Sequence, residues 1–145
     1  MPRLVARISL ALALAAGVAC AAAGTSAGGA AAGPLVSSLQ VETAGDSVRF
    51  VLQVTNASAA PARLEFPSGQ SFDFVVERDG AELWRWSADR MFTQAVRSET
   101  LASGETRTYE AAWRPPAGVG GELVARGILT AGDARAEQQA RFRLP

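Results

Sequence analysis

Between Ser47 and Asn56 apolar and polar positions alternate, with Val48, Phe50, Leu52 and Val54 on one side and Arg49, Gln53 and Thr55 on the other. That is the two-residue period of a half-buried strand. Val51 interrupts the polar side, as a residue does where that side is partly covered. The same period recurs along the chain. From Ser37, Leu39 and Val41 alternate with Gln40 and Glu42 up to a turn at Ala44-Gly45-Asp46, and Ala62, Leu64 and Phe66 alternate with Arg63 and Glu65 until Pro67 stops them. Asn56 to Pro61 reads as a loop in which the Asn side chain bonds the backbone ahead of it. Beyond a turn at Leu101 to Gly104, Glu105 to Arg114 places Arg107, Tyr109, Ala111 and Trp113 on one face, the face expected inside apart from Arg107. Pro115-Pro116-Ala117-Gly118 forms a loop, and Leu123 to Thr130 and Gln138 to Leu144 supply two last strands joined across Gly132-Asp133. Thr93 to Thr100 fits either a strand with Val96 inside or a loop.

The large apolar side chains concentrate between Phe66 and Phe92, which holds Phe66, Phe72, Phe74, Phe92, two of the three tryptophans and Met91. Phe72, Phe74 and Val76 alternate with Asp73, Val75 and Glu77. Asp79-Gly80 then supplies the pair that tolerates positive φ at a two-residue turn, and Glu82 to Trp86 alternates on the way back. A hairpin is expected, with Asp73 and Glu77 on its solvated face. After Trp86 the period is lost, and Ser87-Ala88-Asp89-Arg90 fits a helical turn or a loop with a side-chain cap. Trp84 and Trp86 share one face of the return strand, while Leu83 and Arg85 share the other. Either the two indoles close the end of the core, which is the reading preferred here, or they stand outside as contact residues.

The segments Phe66-Pro67-Ser68-Gly69-Gln70, Phe72-Asp73-Phe74, Trp84-Arg85-Trp86-Ser87 and Met91-Phe92 together resemble the signature of the BsuPI-type intracellular proteinase inhibitor family. The resemblance spans roughly Ser47 to Thr130. It implies a small immunoglobulin-like all-β domain and a protein partner, a serine proteinase, blocked without chemistry on the inhibitor's part. The order Leu101, Gly104, Glu105, Tyr109, Trp113 also resembles a turn-plus-strand of bacterial immunoglobulin-like domains. Periodicity and resemblance converge on an all-β, immunoglobulin-like antiparallel sandwich of about seven to nine strands.

The first residues do not share this pattern. Arg3 and Arg7 precede an uncharged run from Ile8 to Ala19 of about twelve residues, which is the form of an export signal and shorter than the roughly 20 apolar residues that span a bilayer. Cys20, the single cysteine, closes the run in Gly17-Val18-Ala19-Cys20. That placement resembles a lipoprotein signal, with Gly17 where leucine is preferred, and makes Cys20 the candidate lipidation site. The alternative is ordinary signal cleavage slightly later, among Ala21-Ala22-Ala23 or Thr25-Ser26-Ala27. Residues 21–36 are small and uncharged, too poor in apolar surface to repay ordering, and are expected to act as a flexible linker. The chain thus divides into a signal (1–20), a linker (21–36) and a folded domain (37–145), in a cell-envelope lipoprotein or a secreted or periplasmic protein.

Charge and chemistry narrow the function. The chain of 145 residues and 15.1 kDa has room for one domain. Its 14 acidic residues balance 14 basic ones, all arginine, so there is no electrostatic footprint for nucleic acid. No histidine is present, which removes Ser-His-Asp and Cys-His nucleophile activation and the Cys/His zinc sites. No cofactor, no metal and no enzymatic activity are expected. The candidate partner-binding residues are Arg85, Asp89, Arg90, Met91 and Phe92, since arginine and large apolar side chains on a polar loop suit a protein contact. A monomer is expected, meeting a membrane only through an N-terminal lipid. Two functions compete: a proteinase inhibitor-like protein, and a non-inhibitory immunoglobulin-like interaction or assembly module of the bacterial envelope.

Overall fold

Each alternating run becomes a strand, because a side that is apolar at every second residue can be buried only by laying it against another such side. The computed structural model describes residues 35–132, 134 and 136–145. The export signal, Cys20 and most of the linker lie outside the described residues. In chain order the strands are β1 (Leu35–Ala44), β2 (Ser47–Asn56), β3 (Ala62–Phe66), β4 (Phe72–Arg78), β5 (Ala81–Arg85), β6 (Arg97–Leu101), β7 (Thr106–Trp113), β8 (Gly121–Leu129) and β9 (Glu137–Leu144). No helix occurs among the described residues. β1 takes in Leu35 and Val36 from the composition-defined linker, and Leu35 is buried.

All pairings are antiparallel, and they make sheets of order β1-β2-β7, β5-β4-β8-β9 and the pair β3-β6. The three- and four-stranded sheets form the two layers of a sandwich. Register decides what faces inward. Phe50 stands opposite Val41 on one side and Ala111 on the other, and Phe74 lies opposite Gly127. Across the gap the Phe50 ring stacks on Phe74 and on Trp84, each with centroids 5.6 Å apart, and meets Phe142 edge-on. Trp84 in turn stacks on Trp113 at 5.7 Å. The indole of the return strand thus joins the core, as the preferred reading had it.

Two local features fix the hairpin and the layer spacing. Asp79 and Gly80 both have positive φ, 51° and 80°, the pair of conformations that a tight two-residue turn between twisted strands demands. Gly127 is buried in mid-strand, where a Cβ would lie 3.1 Å from Leu39, 3.3 Å from Leu52 and 3.4 Å from Phe74. A side chain there would make Leu39, Leu52 and Phe74 give by a few tenths of an ångström, so glycine lets these three pack closely over β8. Val51 is buried on the outer side of β2, as the interrupted alternation suggested. Val96 is not placed inside: it is 73% exposed, because residues 91–96 run as an irregular segment and β6 begins only at Arg97.

Phe50 is fully buried and contacts three aromatic rings from the facing sheet, so its truncation leaves a cavity that its neighbours cannot fill. Phe50→Ala is expected to lower the unfolding free energy in urea by about 3–5 kcal/mol, and Phe50→Asp to abolish the cooperative transition. A Phe50→Asp protein that melts cooperatively near the wild-type temperature contradicts this placement of the core.

Candidate functional site

A strand sends successive side chains to opposite faces, and the first two residues of β4 use both faces to hold one turn. Phe72 points inward, where its ring stacks on Trp86 with centroids 4.3 Å apart and touches Tyr109 at 5.1 Å. Asp73 points outward. It is 4% exposed, which corrects the expectation that it lies on a solvated face. One carboxylate oxygen accepts from the backbone N–H groups of Phe74 (3.0 Å) and Ser87 (3.1 Å), and the other accepts from the Ser87 hydroxyl (2.6 Å) and Arg85 Nη1 (2.9 Å). The dipeptide Trp86-Ser87 is therefore gripped from the inner face by Phe72 and from the outer face by Asp73. The Trp86 N–H also donates to the Phe74 carbonyl at 2.9 Å, carrying the pairing of β4 past the end of β5.

The outer face around Asp73 is a lattice of charge. Arg85 spans Asp73 and Glu82, at 2.9 and 2.6 Å. Hydrogen bonds to Glu82 first and Asp73 second hold its guanidinium above the ordinary arginine range, so it stays charged at every accessible pH. On the other side of β4, Arg126 spans Glu77 (2.9 Å) and Glu137 (2.6 Å). Val75 lies between the two arginines in register and is fully buried, with their stems flanking it as long arginine side chains do on apolar surface. That apolar Val75, on the same side as Asp73, was the sequence signal that this face is covered. The usual solvent exposure of Asp and Glu points the other way.

From Ser87 the chain makes two hydrogen-bonded turns, with the Ala88 N–H donating to the Arg85 carbonyl (3.2 Å) and the Arg90 N–H to the Ser87 carbonyl (3.1 Å). The Ser87 side chain is thus turned to Asp73 and does not cap a helix. Arg90 folds back over the Trp86 ring, its Cζ 4.3 Å from the ring centroid and its Nε donating to the Trp86 carbonyl at 3.1 Å. Phe92 returns to the same indole at 5.8 Å. The next residue is tied to a second loop, since the Gly69 N–H donates to the Thr93 carbonyl at 2.8 Å. A Cβ on Gly69 would lie 2.6 Å from Thr93 Oγ1 and 3.3 Å from the Thr93 N, so a side chain there would force Thr93 to shift and glycine suits this approach of the two loops. Arg97 completes the clasp, with its guanidinium 4.3 Å over the Phe66 ring, its Nε bonded to the Ser68 carbonyl at 3.3 Å and further bonds to Ser71 and Glu99.

The five sequence candidates therefore separate by role in the fold. Arg85, Arg90 and Phe92 are anchors, each occupied with Asp73 or Trp86. Asp89 and Met91 are the presented residues: Asp89 is exposed in the turn, and Met91 is 100% exposed. Asp73, Gly69, Ser87 and Arg97 hold the site without being among the candidate contact residues; the first three stand in the motifs that carry the family resemblance, and Arg97 does not.

These contacts account for the spaced motifs one by one. The loop Phe66-Pro67-Ser68-Gly69-Gln70 is the clasp that receives Thr93, Phe72-Asp73 and Trp86-Ser87 are the two halves of the grip, and Met91-Phe92 pairs the presented residue with one of its anchors. The family model of BsuPI, intracellular proteinase inhibitor, matches residues 35–139, from the first residue of β1 into β9. The chain belongs to the BsuPI family. The family's description is that of inhibitors and not of enzymes. No curated protein matches the sequence. Among solved structures it is similar to a β-glucosidase of Erythrobacter marinus, at 16% identity and TM-score 0.44 over 77% of this chain and 15% of the glucosidase. It is also similar to the sporulation control protein Spo0M of Bacillus subtilis, at 16% identity and TM-score 0.43 over 77% of this chain and 49% of Spo0M. The chain thus spans half or less of the length of either.

Proposed function

We propose that this BsuPI-family protein is an exported proteinase inhibitor-like binding protein that acts by non-covalent contact through the Trp86–Val96 segment. The observation that carries the reading is the family match across nearly all of the described chain. The geometry supplies an instrument for it, namely an irregular segment held at both ends with its tip in solvent. An inhibitor that is bound without being turned over gains from such rigidity, because the cost of ordering the contact residues has already been met in folding. A protein partner also suits a surface on which most of the described arginines pair with carboxylates and the net charge is zero, which concentrates no positive charge for nucleic acid.

Export and anchoring at Cys20 are part of the proposal and rest on the leader sequence. They bear on the choice of target, since an inhibitor carrying an export signal meets proteinases outside the cytoplasm, in contrast to the intracellular members that give the family its description. The same contrast favours a second reading, in which the domain has become a non-inhibitory interaction or assembly module of the envelope.

Titration of the purified protein against a panel of serine proteinases separates the two readings. Inhibition of at least one member at micromolar protein is expected, and none across the panel removes the inhibitory reading in favour of the envelope module. For the anchor, cells expressing the full chain are grown with radioactive palmitate. Label on the wild type and none on Cys20→Ala is expected, whereas an unlabelled wild type means plain signal cleavage.

A further inference from the structure

Among the described residues the exposed large apolar side chains are Val36, Leu83, Met91 and Val96, and of these only Met91 is completely exposed. Its surroundings set it apart further. Arg90 is fixed on Trp86 through its guanidinium and its Nε, and on the Ser87 carbonyl through its backbone N–H; Phe92 is packed on the same indole; and the Thr93 carbonyl is held by Gly69. Met91 is thus an unsupported apolar side chain between neighbours that are all tied down. It contributes nothing to the core, yet the fold holds its backbone in place from both sides.

This arrangement matches what a proteinase reads. Such enzymes take hold of a peptide segment chiefly by one side chain inserted into a primary specificity pocket, which is an apolar slot in some and has an acidic floor in others. Methionine is unbranched and polarizable and adapts to irregular apolar cavities. Its side-chain entropy would be lost on insertion, but the backbone that presents it is already ordered, so the larger part of the cost does not fall on binding. The one charged side chain adjacent in sequence, Arg90, is turned onto Trp86 and away from the tip. We infer that Met91 is the primary contact residue of this protein, inserted into the apolar specificity pocket of its proteinase. The inference rests on the inhibitory reading above and adds to it the residue and the pocket chemistry.

Inhibition constants of the full chain are measured against a proteinase with an apolar pocket and one with an acid-floored pocket, for wild type, Met91→Asp, Met91→Lys and Val36→Asp. The substituted side chain at 91 touches nothing, so all variants should melt within a few degrees of wild type. Met91→Asp is expected to weaken inhibition of the apolar-pocket enzyme by about 30-fold or more, the size of a hot-spot residue. Met91→Lys should shift the preference between the two enzymes toward the acid-floored one by a similar factor, and Val36→Asp should stay within about 2-fold of wild type. If wild type inhibits while Met91→Asp stays within about 2-fold of it, or if Met91→Lys leaves the preference unchanged, the inference is overturned and the inhibitory reading stands. A wild type that inhibits nothing removes both.

Discussion

The grip of Phe72 and Asp73 on Trp86 and Ser87 is the constraint on which the rest of the site depends. Two adjacent strand residues necessarily point to opposite faces of their sheet, so a dipeptide at the start of β4 can seize the chain leaving β5 from both sides at once. The inner contact is an offset ring stack, worth about 0.5–1.5 kcal/mol beyond the area it buries. The outer contact is a carboxylate that accepts four hydrogen bonds while almost wholly withdrawn from water. Loss of one partner from a buried charge pair costs about 3–5 kcal/mol, and the partial exposure of Arg85 places this pair toward the lower figure. Everything downstream inherits its position from this point: Arg90 and Phe92 need a fixed Trp86 to lie on, and Thr93 meets Gly69 only if they do.

The exclusive use of arginine fits the same design. The planar fork of Arg85 reaches two carboxylates at once, and so does that of Arg126, which a lysine ammonium on a flexible stem does less well. Val75 stands between the two arginines in register while their heads pair with Asp73, Glu77, Glu82 and Glu137, so a face with an apolar centre remains compatible with water. The aromatic filling of the sandwich and this charged outer lattice meet at β4, the strand that carries both.

Most of the fold was legible because its elements are set by short-range alternation. Phe50, Leu64, Phe74 and Trp113 are inside because each is the apolar member of a two-residue period, and Asp79-Gly80 turns the chain because few other pairs accept positive φ twice. What was not legible is long-range. The burial of Asp73 depends on Ser87 and Arg85, which are remote in sequence and brought together only once the hairpin closes. The need for glycine at 69 arises from Thr93, and at 127 from Leu39, Leu52 and Phe74, none of which a local pattern can reveal. Val96 was open to either reading because a run of small and polar residues, Thr93 to Thr100, has no period strong enough to choose between strand and loop. Of the candidate site, the segment was legible and the division of labour was not: that Arg85, Arg90 and Phe92 hold while Met91 is held out follows from Trp86 and Asp73, whose orientation only the three-dimensional arrangement gives.

The account stands or falls on whether Asp73 couples this loop to the sandwich. Native-state amide hydrogen exchange, compared between wild type and Asp73→Asn, measures that coupling residue by residue. In wild type the Ser87, Arg90 and Gly69 amides should be protected. In Asp73→Asn they should exchange at least about 10-fold faster through local opening, while the Phe50 and Leu52 amides in the centre of β2 lose far less protection. Unprotected Ser87 and Gly69 amides in wild type, or equal exchange in the two proteins, would contradict it.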